Sequence, residues 1–160
     1  SLQTILQNNP QAKIYTNSGV ARLLQLEQIA YELLEEGQRV MVKEVEISGH
    51  GTLHGEIYHT LPRVTNTGYM IGRTIFYPGD ALYNPGVPVE ILALPITGPW
   101  LKLSEAIDYA REIKPTKCFP VHDGMIRSDI LAVMHRMPEM ILAGEGIHFV
   151  PLLEGQEIEA

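Results

Sequence analysis

VEILALPITGPWLKLSEAIDYAREIKPTKCFPVHDG, residues 89–124, decides the architecture of this chain. Val89-Glu90-Ile91-Leu92-Ala93-Leu94 is almost wholly apolar and lacks polar alternation, which reads as a strand buried on both faces. A helix is expected over residues 101–113, with Ser104 as its cap. Lys117-Cys118-Phe119-Pro120-Val121 reads as the next strand, so the stretch is a βαβ-like unit of an α/β fold.

Immediately upstream, TIFYPGDALYNPG, residues 74–86, runs an apolar strand into Pro78-Gly79 and then a lone carboxylate, Asp80. Pro and Gly end the strand and turn the backbone sharply, so Asp80 is expected at the edge of the sheet instead of in its core. Short segments around Glu56-Ile57-Tyr58, residues 68–71 and residues 73–77 are bounded by Gly, Asn and Pro and read as an antiparallel meander. Residues 40–47 alternate with period two, placing Val40, Val42, Val45 and Ile47 on one face of a strand. Towards the start, Leu2, Ile5 and Leu6 mark a helix that ends at Pro10, and Ala12-Lys13-Ile14-Tyr15 a short strand. Asn17-Ser18 offers a cap for a helix carrying Val20, Leu23 and Leu24, and Leu26, Ile29, Ala30, Leu33 and Leu34 suggest a second one, stopped by Gly37. A helix over residues 128–137 and a hairpin-like tail over residues 147–158 complete the reading.

A length of 160 residues fits one domain, and 45% hydrophobic residues suffice for a packed core. The net charge of −7, from 12 Lys+Arg against 19 Asp+Glu, disfavours nucleic acid, which needs clustered cations. The single Cys118 makes no internal disulfide, and no long uncharged apolar run suggests a membrane span, so a reducing, cytoplasmic setting is expected. The chain opens at Ser1 already in a helical pattern, which suggests a processed start or a beginning inside a longer gene product.

Chemistry is concentrated at His54, in a Gly-bounded turn, and at Asp80 and His122, each following a strand. Two imidazoles and a carboxylate suit zinc, or iron or manganese where more oxygen ligands are present. Each residue also has a plain reading as a loop or turn residue, and convergence in space would decide between them.

In order, Asn66-Thr67-Gly68-Tyr69, Pro78-Gly79-Asp80, Leu94-Pro95, Pro99-Trp100 and His122-Asp123 resemble the C-terminal half of the metallo-β-lactamase superfamily, in particular its small hydrolases. The resemblance covers essentially the whole chain. It implies an αββα sandwich of two facing sheets, N-terminally incomplete here, and a metal-dependent hydrolase as the full-length parent. It identifies His54 with a metal-binding His of the middle loop, Asp80 with a metal-bridging carboxylate and His122 with the last His ligand, zinc being the first expectation and manganese or iron the alternatives. Tyr58 stands where relatives often carry a second His; His59 and His50 rank behind His54. Tyr58, Trp100 and Asp123 are the substrate-pocket candidates for a small-molecule substrate.

The superfamily's His-x-His-x-Asp-His loop is absent from these residues, so the chain is expected to hold only part of the metal site. By itself it should then be inactive or weakly active. The alternative is a non-catalytic scaffold used for oligomerisation or partner binding. A homo-oligomer is expected to cover the apolar face of Val40, Val42, Val45 and Ile47.

Overall fold

A computed structural model of the chain describes residues 1–152 and 155–158. Its centre is a seven-stranded mixed sheet of order β3 (Arg39–Val42), β4 (Val45–His50), β5 (Gly68–Ile71), β6 (Ile75–Tyr77), β7 (Ile91–Pro95), β8 (Lys117–Val121), β9 (His148–Phe149). Neighbours from β3 to β6 are antiparallel and those from β6 to β9 are parallel. Helix α3 (Leu103–Ile113) joins β7 to β8, as the βαβ reading required, and α4 (Ser128–Ala143) joins β8 to β9. Two further helices, α1 (Leu2–Asn8) and α2 (Ser18–Leu26), and a two-stranded parallel pair, β1 (Tyr15–Thr16) with β2 (Glu32–Leu33), precede the sheet.

One register row crosses all seven strands through Arg39, Ser48, Met70, Phe76, Leu92, Cys118 and Phe149. From Met70 onward this row is apolar and buried, and it joins Ala106, Ala110 and Leu142 in the hydrophobic core. Every residue of β7 is buried, consistent with its unbroken apolar run. Each fully buried Leu or Phe of this row contributes about 1.5–3 kcal/mol relative to exposure. Burial also pushes the Cys118 thiol up to about 12. A thiol that is protonated and enclosed is a poor nucleophile. Native protein at pH 8 is therefore expected to leave an aromatic disulfide reagent unreacted over minutes and to release one thiol equivalent once guanidinium unfolds it; fast native labelling would count against the packing described here.

Several local expectations change. No helix spans residues 26–34: α2 stops at Leu26, Gln28 takes a positive φ of 56°, and Glu32–Leu33 pairs with Tyr15–Thr16. Backbone bonds Glu32 N–H to Ile14 O at 2.8 Å and Leu34 N–H to Thr16 O at 2.8 Å outweigh the helical spacing of those leucines. The strand expected over residues 40–47 is two strands folded back at Lys43, φ +56°. Val40 faces Ile47 and Val42 faces Val45, so the four still share one face, but Val42 and Val45 are 39% and 42% exposed. Ser104 lies inside α3; Lys102 is the cap residue, and its N–H donates to the Glu105 carboxylate at 2.9 Å. Helix α4 continues through Pro138 to Ala143, because Pro138 and Leu142 are both buried. Residues 56–58 form no strand, and the tail is a parallel edge strand, β9, not a hairpin, although residues 153–154 of the expected tail lie outside the described residues. The architecture is thus metallo-β-lactamase-like mixed α/β, with one seven-stranded and one two-stranded sheet among the described residues.

Two antiparallel steps make β4 parallel to β6, so β4, β6, β7 and β8 all end at one edge of the sheet. The loops that follow them carry His54, Asp80, Trp100 and His122.

Candidate functional site

Asp80 is set by its turn. Gly79 has φ +68°, and a Cβ there would run into the Asn66 side chain, so only glycine fits. Asn66 is buried; its Nδ2–H donates to Pro78 O at 2.9 Å and its Oδ1 accepts from Asp80 N–H at 2.8 Å. The Gly55 N–H reaches back to the Asp80 carbonyl, which ties the His54 loop to the same turn. Sequence reasoning quoted Asn66 as part of a motif and missed this role. No local signal could have found it, because Asn66 and the turn it holds lie twelve to fourteen residues apart and meet only in the fold.

The three residues singled out meet at this edge. His122 Nε2 lies 2.9 Å from Asp80 Oδ1, and His54 Nε2 lies 3.5 Å from Asp80 Oδ2. The Nδ1 of His54 is 2.7 Å from Gly55 O, and a carbonyl only accepts, so Nδ1 carries the proton and neutral His54 presents a bare Nε2 to the carboxylate. Two acceptors then face one another, an arrangement that a cation or an added proton relieves. His122 sits in the left-handed region at φ +64°. Its Nε2 is buried and lacks a hydrogen-bond partner, although it is within ion-pair distance of Asp80; the contact has the closeness of a bond without its direction.

Trp100 meets His54 edge to face, with centroids 5.7 Å apart, and leaves no room for a Cβ on Gly55. Asp123 turns the other way, 3.1 Å from His135 Nε2 on α4. A carboxylate accepts, so His135 donates; this buried histidine also packs edge to face against Phe149. The pair ties the turn bearing His122 to α4. Replacing His135 by Ala should cost about 1–3 kcal/mol, since Asp123 loses its donor and α4 a packed ring; a thermal melt within 1 °C of the parent would refute that anchoring. Tyr58 is exposed and stacks at 4.2 Å on His59, and His50 bonds Ser48 at 2.9 Å, so neither His59 nor His50 joins Asp80. Tyr77 lies close by, its phenol pushed above the ordinary tyrosine value by burial and then by the charge of Asp80.

The donor chemistry at Asp80 suits a divalent cation, and the unpartnered, buried His122 Nε2 is the atom that asks for one. Among the described residues no group of three or more His, Cys, Asp or Glu side chains is placed to hold a metal ion, the set of His54, Asp80 and His122 included. The set is open, fitting part of a site.

The family profile described as a beta-lactamase superfamily domain matches residues 7–122, a span that contains His54, Asp80 and His122. The chain belongs to the beta-lactamase superfamily. It is 32% identical over 145 residues to protein Rv0786c of Mycobacterium tuberculosis (strain ATCC 25618 / H37Rv), covering 87% of this chain and 67% of that protein. Among solved structures it is similar in fold to CmlA, described as a diiron beta-hydroxylase from Streptomyces venezuelae, with a TM-score of 0.56 and 13% identity over 85% of this chain. A CmlA variant gives a TM-score of 0.50 at 15% identity over 87% of this chain. The chain spans 35% of the length of each of these two structures. Superfamily membership agrees with the family resemblance read from the sequence, and the CmlA likeness agrees with the fold class.

Proposed function

We propose that this chain carries part of the metal site of a metal-dependent hydrolase, with His54 and His122 as imidazole ligands through Nε2 and Asp80 as the carboxylate ligand. The observation that carries this reading is the approach of two imidazole nitrogens to opposite oxygens of one aspartate. Zinc is the first assignment, manganese and iron the alternatives, because two imidazoles and a carboxylate suit all three. When bound, such an ion lowers the pKa of a water and polarises the scissile group. The chain's own residues do the rest. The Gly55 carbonyl fixes the tautomer and ring orientation of His54, as an outer partner of a metal ligand does. Asn66 holds the turn that aims Asp80, and the Trp100 edge walls His54 on one side. The substrate is a small molecule; a net charge of −7 speaks against nucleic acid. No helix of the described residues is long and apolar enough to cross a membrane, and the lone buried Cys118 fits a reducing cytoplasmic setting.

A second reading, a scaffold that self-associates, is favoured by one observation: Val42, Val45 and Ile71 are exposed on one sheet face, at 39%, 42% and 38%. Light scattering at high concentration tests it, and a strictly monomeric species sinks it.

The test of the first reading is metal content by plasma mass spectrometry, for the parent chain and for one with His54, Asp80 and His122 all changed to Ala. Metal near one equivalent that vanishes in the variant supports the site. Equal metal in both, or none in the parent after incubation with zinc and desalting, overturns it for this chain.

A further inference from the structure

The row of side chains that is apolar from Met70 to Phe149 turns polar at its other end, at Ser48 and Arg39. On β4, Glu46, Ser48 and His50 alternate onto that same face, because successive residues of a strand point to opposite sides. Together with Met70, Arg73, Val87 and Pro88 they line an open cavity of about 410 Å³. None of these residues belongs to the group at Asp80.

The cavity's chemistry is asymmetric. Its apolar wall is Met70, Val87 and Pro88, and its polar floor is built from strand residues whose spacing the sheet fixes. Ser48 Oγ and His50 Nε2 bond each other at 2.9 Å, and burial holds the His50 pKa below the ordinary histidine value. The cations are two guanidiniums on largely exposed side chains, 67% for Arg39 and 83% for Arg73, and both face Glu46, which lies 3.8 Å from Arg39 and 4.0 Å from Arg73. Both contacts are too long for hydrogen bonds, so the forks are not saturated by Glu46. Two guanidiniums and one carboxylate line the cavity, with the Glu36 carboxylate near enough to act on His50, inside a protein of net charge −7. Arg73 adds a second argument. It occupies a turn position at φ +59°, where glycine or asparagine would sit without strain, so its long cationic side chain is held there against a backbone preference.

We infer that this cavity binds a small organic oxyanion, its carboxylate or phosphate head on the Arg39 and Arg73 guanidiniums with Ser48 as an added donor, and its apolar body against Met70, Val87 and Pro88. A planar guanidinium matches either head group bidentately, and a cavity of mixed walls is the usual form of a small-ligand site. Glu46 competes with the ligand for the same two cations and sets how tightly it is held.

The test is a backbone amide NMR titration of the full chain with phenyl phosphate, with benzoate and with uncharged phenol. Saturable shifts at Ser48, His50, Arg73 and Val87 are expected with the two anions and not with phenol, while Gly55, Ala81 and Asp123 stay in place. The tighter of the two anions identifies the head group. Changing Arg39→Gln and Arg73→Gln together should weaken binding at least about tenfold, the worth of a charge-assisted hydrogen bond. Glu46→Gln should tighten it several-fold, an opposite change that misfolding would not produce. Shifts that do not saturate by about 10 mM, that phenol reproduces, or that survive the double arginine variant would each overturn the inference. So would weaker binding by Glu46→Gln.

Discussion

Asp80→Ala strips bound divalent metal from the chain and leaves its fold in place: this is the expected result with the largest functional effect. The carboxylate is the group both imidazole nitrogens face, His122 at 2.9 Å and His54 at 3.5 Å, so its loss separates two donors that have no other shared partner here. Changing an outer-shell partner of a metal ligand typically costs 10–100-fold in affinity, so losing a ligand itself should cost at least about 100-fold in zinc affinity. Stability should barely move. The Asp80 side chain is 39% exposed, and the bonds that build its turn run through its backbone, from Asp80 N–H to Asn66 and from Gly55 N–H to the Asp80 carbonyl. Zinc per chain after desalting, with a thermal melt on the same sample, reads both halves. Metal retained by the variant would place the ion elsewhere.

Asn66→Ala should do the reverse to the fold. Its amide bonds both Pro78 O and Asp80 N–H, so truncation leaves one buried and one half-buried backbone group without that partner at once. Each such group costs about 1–3 kcal/mol. For a domain of this size 1 kcal/mol moves the melting temperature by about 2–4 °C, so a drop of about 4–24 °C is expected. The turn that aims Asp80 relaxes as well, and metal retention should fall with stability. A variant that melts with the parent would mean that water replaces the amide and that the turn holds itself. Read together, the two variants separate ligand from frame: Asp80→Ala loses metal alone, and Asn66→Ala loses metal and stability.

Much of this arrangement was legible in the chain. The unbroken apolar run of β7, the amphipathic helix after it and the following strand identified the βαβ unit, because burial on two faces leaves a local compositional trace. Pro78-Gly79 placed Asp80 at a strand end for an equally local reason, since ring closure and a missing Cβ constrain the backbone wherever they occur. The leucines of residues 26–34 misled, because spacing records only where apolar side chains recur, whereas β2 exists through hydrogen bonds to residues 14–16. The expectation for residues 40–47 was right about the shared face and wrong about the single strand: the step of three from Val42 to Val45 would put the two pairs on opposite faces of a continuous strand, and only the fold-back at Lys43-Glu44 returns them to one face.

The sequence by itself determined the order of elements from β5 to α4, the class of fold and the three residue types suited to a metal. These follow from side-chain volume, backbone freedom and donor chemistry, each a property of a short window. Tertiary structure alone decided that His54 and His122 approach opposite oxygens of Asp80, that Asn66 grips a turn fourteen residues away, and that His135 holds Asp123 from another helix. It also brought Arg39 and Arg73 to one cavity around Glu46. Those contacts join residues that no local window contains, and they exist because the parallel and antiparallel registers of one sheet fix which strand ends and which rows of side chains meet.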